Sequence, residues 1–343
     1  MEKLRVGLVG VGGRGRAHAN AIANAPNIEF VAVCDLDATA GAEVAEQYGA
    51  EYVANTTELY ARDDIEAVGI CVQTRIHHQM AMEAVAAGRH LVTEKPMAAS
   101  LKEAQEMVDA VAEAGLVAAL SYQLRFGPLY AKMKELCEQI EPLQIFFARQ
   151  RGMLVDKYMS PAPFDGIMDF ISHDIDMVPF LAGRKPTALL ASLQRDTWGT
   201  AGAIEVAGVQ IELGAGDDKI VGCISSSMGG AGMPERLDVV GKNGIARKEG
   251  NSIYYAAGPN PPNPPEGARP PDPWCMSFEG ETPDLTCSLY AHWAAAALDA
   301  EVPLAPAASY EDGYNALLLT LAIVESGRSG QTIQLDEFAA AQA

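Results

Sequence analysis

Lys95 and His173 are the two side chains in this sequence best suited to chemistry. Lys95 closes the run His90-Leu-Val-Thr-Glu94-Lys95-Pro96, where the following proline favours extended backbone at the end of an apolar strand. A cation at a strand end could stabilise an oxyanion as an alcohol is oxidised. The same Glu-Lys pair could equally be an ordinary surface pair. His173 lies in Gly166-Ile-Met-Asp169-Phe-Ile-Ser-His173-Asp174-Ile-Asp176. On a helix, Asp169, His173 and Asp176 share one face, and Ile171, Ile175 and Val178 share another. A histidine flanked by carboxylates suits general-base work near neutral pH. It would also sit comfortably on a solvated face, satisfied by the carboxylate one turn away.

A third stretch suits binding. Leu4 to Val9 is an apolar strand that runs into Gly10-x-Gly12-x-x-Gly15, and an alanine-rich helix follows from Arg16 to Asn24. A dinucleotide fingerprint needs this strand-turn-helix order. The first glycine permits the tight turn, the second lets the backbone approach a pyrophosphate, and the third lets the helix pack close to the strand. Phosphates then meet free N–H groups at a positive helix end. A second strand, Glu29 to Cys34, ends at Asp35, where an acid can bind the adenosine ribose. Leu36 and Asp37 follow, with no basic residue to meet a 2′-phosphate, so the expected cofactor is NAD rather than NADP.

Other chemistries lack their residues. His77 and His78 are adjacent and face apart, His18 and His90 lie elsewhere, and no His-x-x-x-His or Cys-x-x-Cys spacing accompanies them, so no metal site is expected. There is no Gly-x-Ser-x-Gly elbow and no Gly-x-x-x-x-Gly-Lys-Ser/Thr loop. A net charge of −20 opposes binding to nucleic acid or an anionic membrane, which leaves a small-molecule substrate. No apolar run reaches the roughly 20 residues of a membrane span, and Met1-Glu2-Lys3-Leu4 shows no secretory pattern. Cys34 and Cys71 sit inside apolar runs and, like the other cysteines, read as small hydrophobes in a reducing, cytoplasmic setting.

The elements that must position these residues fall into two halves. From Arg5 to about Tyr122, short strands alternate with helices, with strands expected at Arg5–Val9, Phe30–Cys34, Glu51–Val53, Ala67–Val72, His90–Thr93 and Val117–Ser121. The α/β expectation is an N-terminal Rossmann domain, residues 1–122, with a doubly wound parallel sheet whose ligands bind beyond the strands' carboxyl ends. From 123 to 343 the pattern favours an α+β substrate-binding domain with a largely antiparallel open sheet, closed by helices at Leu285–Ala300 and Tyr310–Ser326. The uncovered face of that sheet, assigned Val206, Val209, Ile220 and Ile224, would need a second copy of the chain, so a homo-oligomer is expected, a dimer or tetramer. Gly258 to Pro273 holds eight prolines and reads as a surface loop, either a connector or a flap over the substrate.

Taken together, Gly10-x-Gly12-x-x-Gly15, Asp35, Glu94-Lys95-Pro96 and Asp169-x-x-x-His173-x-x-Asp176 resemble the glucose–fructose oxidoreductase, inositol dehydrogenase and rhizopine catabolism family, Gfo/Idh/MocA. Ala84-Val-Ala-Ala-Gly88-Arg-His-Leu-Val and Ser309-Tyr-Glu-Asp-Gly313 extend the likeness over nearly the whole chain. The resemblance implies hydride transfer between NAD and a secondary alcohol of a sugar, cyclitol or related polyol. An NAD-dependent glycosidase or a non-catalytic sugar-sensing regulator are the alternatives. It implies that Lys95 is the electrostatic catalyst, His173 the acid/base and Asp169 its partner, with Arg125 joining these three in holding substrate. Gly10, Gly12, Gly13, Arg14, Gly15, Asp35, Gln73, His77 and Glu94 would line the cofactor. The likeness and the small trans preference of X-Pro bonds, about 0.5–1 kcal/mol, both point to a cis Lys95–Pro96 peptide. Two departures stand out: Val72-Gln73-Thr74 replaces the family's Thr-Pro-Asn, and Ile171 replaces its glycine between the aspartate and the histidine.

Overall fold

The computed structural model describes residues 2–151, 167–195, 203–228, 235–258, 274–277 and 283–342, and only the course of the backbone at 151, 167–170, 257 and 274–277. The expected proline-rich loop, from 259 onward, lies outside the described residues.

The chain opens as strands alternating with helices: β1 (Leu4–Val9), α1 (Gly13–Asn24), β2 (Ile28–Cys34), α2 (Ala38–Tyr48), β3 (Glu51–Val53), α3 (Thr56–Tyr60), β4 (Ala67–Ile70), α4 (His77–Ala86), β5 (His90–Thr93), α5 (Leu101–Ala114) and β6 (Ala118–Leu120). Nearly every residue of β1, β4 and β5 is buried, as expected for strands covered on both faces. The helices start where their caps are. The Asp37 carboxylate accepts from the N–H groups of Thr39 and Ala40, and the Ser100 hydroxyl accepts from that of Glu103. Gly49 and Gly115 end the same two helices in left-handed backbone.

The chain continues through α6 (Pro128–Ile140), β7 (Pro142–Arg151), α7 (Ile167–Ala182), β8 (Pro186–Arg195), β9 (Ile204–Leu213), β10 (Ile220–Met228), β11 (Arg236–Gly241), β12 (Gly244–Glu249), β13 (Ser252–Ala257) and β14 (Trp274–Ser277). It finishes with α8 (Leu285–Leu298), β15 (Ala308–Ser309), α9 (Tyr310–Ser329), β16 (Ile333–Gln334) and α10 (Leu335–Gln342). Two compact units result: Met1–Gly127 with Thr282–Leu317, and Pro128–Glu281 with Leu318–Ala343.

In the first unit the sheet order is β15-β6-β5-β4-β1-β2-β3, parallel except for the antiparallel edge strand β15. The order reverses at β1 and β4, which makes that crevice the natural ligand position. The return of α8 to this unit differs from the expectation that it would close the second domain. Its reason is packing. Leu289, Tyr290, Trp293 and Ala294 are fully buried in one core with Leu8, Ile22 and Val33. The Tyr290 and Trp293 rings meet edge to face at 5.8 Å, worth about 0.5–1.5 kcal/mol beyond their burial.

In the second unit the nine-stranded order is β14-β13-β12-β11-β7-β10-β9-β8-β16, antiparallel apart from the parallel β7–β10 pair. α7 packs on β7, β9 and β10. Val209, Ile220 and Ile224 are buried on the helix-covered face, which corrects the expectation that they would lie open. The alternation of side chains had been assigned to the wrong face, and only Val206 has the outward parity. The outward row runs through Leu190, Gln210, Cys223, Phe146, Asp238, Arg247 and Tyr254, as the strand register shows. It mixes apolar and charged residues, with Asp238 paired to both Arg236 and Arg247.

Candidate functional site

Beyond the carboxyl end of β1 the chain turns at Gly10, whose φ of +91° suits glycine. A Cβ there would lie 2.2 Å from the Cys71 carbonyl oxygen, and one on Gly15 would lie 2.1 Å from the Gly10 oxygen. These two glycines let α1 settle onto the turn. Gly12 and Gly13 face open space, with nothing within 4 Å of an added Cβ. Gly12 caps α1 without any side-chain hydrogen bond, so the N–H groups of the first turn are not met by a capping side chain. That end of the helix suits an anion.

At the end of β2, Asp35 is half-buried. Its carboxylate accepts from the Val11 N–H at 2.7 Å and from the Asp37 N–H at 2.8 Å. One acid thereby ties the glycine turn to the start of α2. Leu36 beside it is 97% exposed, an apolar surface next to the acid. Open glycines, an uncapped helix start and a fixed acid fit a dinucleotide, and these residues would hold its pyrophosphate and ribose.

The carboxyl end of β5 carries Glu94 and Lys95, and the Lys95–Pro96 peptide is cis. Glu94 is almost fully buried. Its carboxylate accepts from His18 Nε2 at 2.9 Å and from the Lys95 backbone N–H at 2.9 Å, and Arg14 Nη2 lies 3.3 Å away. Burial alone would push this carboxyl up. The His18 hydrogen bond and the charges of His18, Arg14 and Lys95 outweigh it and hold the group far below the usual carboxylate range. The Thr93 and Tyr310 hydroxyls, 2.5 Å apart, pin the strand end from the other side. Cys71 at the turn is inert, its thiol pushed up to about 12 by burial.

Two expected contact residues turn inward. The His77 ring is buried, with Nδ1 2.9 Å from the Pro96 carbonyl and Nε2 3.1 Å from the Val72 carbonyl. Burial lowers its pKa against the pull of the two carbonyls, and the ring lies between the loops after β4 and β5. Arg125 is 6% exposed and pairs with Asp312 at 3.0 Å, fastening the turn after β6 to the start of α9. Gln73 is exposed at the loop after β4.

Each unit holds its own share of the expected residues. In the second, Ile171, Ile175 and Val178 are fully buried, as the spacing required, and His173 is half-buried on α7. Asp169 falls on the backbone of α7, and its side chain lies outside the described residues. The solvated face that the pattern also allowed is absent at the next positions, because Asp174 and Asp176 are buried. Arg149 Nη1 lies 3.4 Å from Asp174 and also binds Glu235, which accepts from Tyr130 and, at 2.8 Å, from Lys248. Burial opposes the charges of both Arg149 and Glu235; Asp174 and then Glu235 override it for the guanidinium, and Arg149 and then Lys248 for the carboxylate. This network joins α6, β7, α7 and β12 and was missed in the sequence, as was His18. Its residues are scattered over more than a hundred positions and carry no local spacing. Among the described residues no cluster suits a metal ion.

Residues 4–122 match the model of an oxidoreductase family with an NAD-binding Rossmann fold, Gfo/Idh/MocA. The match covers about the first third of the chain, its dinucleotide-binding half. It is 28% identical over 274 residues to an inositol 2-dehydrogenase of Rhizobium meliloti, covering 76% of this chain and 81% of that enzyme. It is 26% identical to the uncharacterised oxidoreductase YrbE of Bacillus subtilis, over 71% and 73% of the two chains. An oxidoreductase from Agrobacterium radiobacter, solved with NAD+, L-tartaric acid and magnesium, shares the fold at a TM-score of 0.82 and 20% identity, covering 98% of this chain and 99% of that one. The chain described here is an NAD-dependent oxidoreductase.

Proposed function

We propose that this enzyme oxidises a secondary alcohol of a sugar, cyclitol or related polyol, or reduces the matching ketone. The observation that carries the reading is Lys95, set at the carboxyl end of β5 by its own N–H on Glu94, which also meets Arg14 and His18 of the cofactor helix. Bound NAD supplies the hydride acceptor. Lys95 stabilises the oxygen as it gains negative charge, and His173 takes the hydroxyl proton, with Asp169 as its partner. Gly10, Gly12, Gly13, Gly15 and Asp35 bind the cofactor, and His77 and Arg125 support the loops from behind. The inositol dehydrogenase relatives favour a ring polyol as substrate.

The same reading makes the enzyme a homo-oligomer, through the outward face of the nine-stranded sheet, where Leu190, Ile245 and Tyr254 are each more than 40% exposed. It places the protein in the cytoplasm, in keeping with free cysteines among the described residues and no helix there long and apolar enough to cross a membrane.

The test is a panel of inositols, aldoses, sugar lactones and glycosides offered with NAD and, separately, with NADP, read as absorbance of the reduced cofactor. Turnover of a free polyol with NAD, at higher kcat/KM than with NADP, is expected. Release of an aglycone without net reduction, or equal efficiency with NADP, would overturn the respective part of the reading.

A further inference from the structure

We infer that Tyr290 and His18 are positioning residues that act on Lys95 through Glu94, so that α8 sets the catalytic edge of the dinucleotide unit. A continuous chain of contacts carries this. The Tyr290 hydroxyl lies 2.9 Å from His18 Nδ1, His18 Nε2 lies 2.9 Å from Glu94 Oε1, and Glu94 Oε2 accepts from the Lys95 N–H at 2.9 Å.

The chain has a direction. Glu94, held as a carboxylate, can only accept, so the ring of His18 presents its N–H at Nε2. Its Nδ1 is left to the Tyr290 hydroxyl, 2.9 Å away. The hydroxyl thereby fixes the orientation of the ring that Glu94 meets, and the fixed carboxylate in turn holds the lysine backbone.

Packing alone does not account for these residue types. His18, Tyr290 and Gly69 all lie within the core of the first unit, where apolar side chains would fill the space without polar groups to satisfy. Gly69 on β4 gives up its side chain at the place where a Cβ would come within 2.5 Å of the Tyr290 oxygen. A phenylalanine at 290 would fill the same slot, and an alanine at 69 would then meet, as its tightest remaining contact, the movable end of Leu8 at 3.1 Å. The three choices satisfy one another, and the chain they form ends on Glu94.

The inference rests on the catalytic role proposed for Lys95, and the experiment separates the two. In the full-length enzyme, kcat is measured for wild type, Tyr290→Phe, Lys95→Ala and the double variant, using NAD and the best alcohol of the panel above. Thermal midpoints and the dissociation constant for NAD are followed alongside. Tyr290→Phe is expected to lower kcat about tenfold, the effect of one lost hydrogen bond in a buried polar chain, and to add less than about twofold in the Lys95→Ala background. Equal losses in both backgrounds, or none in either, would overturn the inference. A Lys95→Ala enzyme of near wild-type kcat would sink the lysine reading and this one with it. Two checks do not depend on turnover. The ¹⁵N shifts of His18 are expected to show the proton on Nε2, and a ring protonated on Nδ1 alone refutes the chain. Gly69→Ala is expected to lower the thermal midpoint, and combining it with Tyr290→Phe is expected to restore most of the loss. An unrescued double variant counts against the hydroxyl being what Gly69 makes room for.

Discussion

Each unit of this enzyme sets a residue suited to chemistry next to a buried carboxylate, and the two do so by different means. In the first, Lys95 follows Glu94, whose charge is met by a backbone N–H, a histidine and one half-exposed arginine. In the second, His173 precedes Asp174, whose charge is met by Arg149, itself shared with Glu235 and backed by Lys248 and Tyr130. The first arrangement depends on hydrogen bonds whose geometry the backbone dictates. The second depends on full charges from separate strands that balance one another out of water. A site of the first kind has one of its partners next to it in the chain. One of the second kind holds only while every partner is present, because each ion left alone in the interior is costly.

The sharpest way to break the comparison is to remove the two chemical groups themselves. Lys95→Ala is expected to lower kcat by about 10²–10³ with little change in NAD affinity, and His173→Ala by about 10²–10⁴, with loss of the acidic limb of the pH–rate profile. Steady-state kinetics with a titration of NAD binding would check both. Near wild-type rates in both variants would place the chemistry elsewhere.

Arg149→Met comes next, and it acts on stability. It leaves Asp174 and Glu235 buried without their shared cation, and a loss of about 3–5 kcal/mol is expected by denaturant unfolding. A loss below about 1 kcal/mol would show that the network is no more than a surface cluster and erase the contrast with the first unit.

Glu94→Gln sharpens the contrast from the other side through its pH dependence. Glu94 is held below the usual carboxylate range in the folded state, so the stability it contributes is fully present above the ordinary carboxylate pKa of about 4.3 and fades as pH falls toward its folded value. The wild type is therefore expected to exceed Glu94→Gln in thermal midpoint by its full margin near pH 7, and the margin is expected to shrink below about pH 4. A margin that widens with acid would reverse the assignment of charge.

The same division governs what could be read from the residues. The parallel sheet, the turn Gly10–Gly15 and Asp35 were legible because each is fixed by backbone demands within a few residues, whereas the cis Lys95–Pro96 peptide was expected on the family likeness and the weak trans preference of X-Pro bonds. Asp37 and Ser100 start α2 and α5, and Gly49 and Gly115 end them, each by backbone demands of the same local kind. His77 and Arg125 were expected on the family likeness alone, but burial turned both inward, and burial is settled by tertiary packing. The outward face of the second sheet was misassigned because period-two alternation tells which residues share a face without telling which face a helix will cover. Arg149 with Glu235, and Tyr290 with His18, join positions far apart in the chain, and no local pattern announces such pairs.

The return of α8 to the first unit gives the enzyme a timetable as well as a core. The ribosome makes residues 2–127 early, yet the sheet they form lacks Leu289, Tyr290 and Trp293 until the chain has been extended past Leu298. At about 5–20 residues per second that interval lasts roughly 10–40 s, during which the faces later sealed by α8 stay exposed to solvent or to a chaperone. Glycine turn, acid and lysine are all synthesised well before the helix that braces them. The dinucleotide unit is therefore among the first parts of the protein to be made and among the last to be finished.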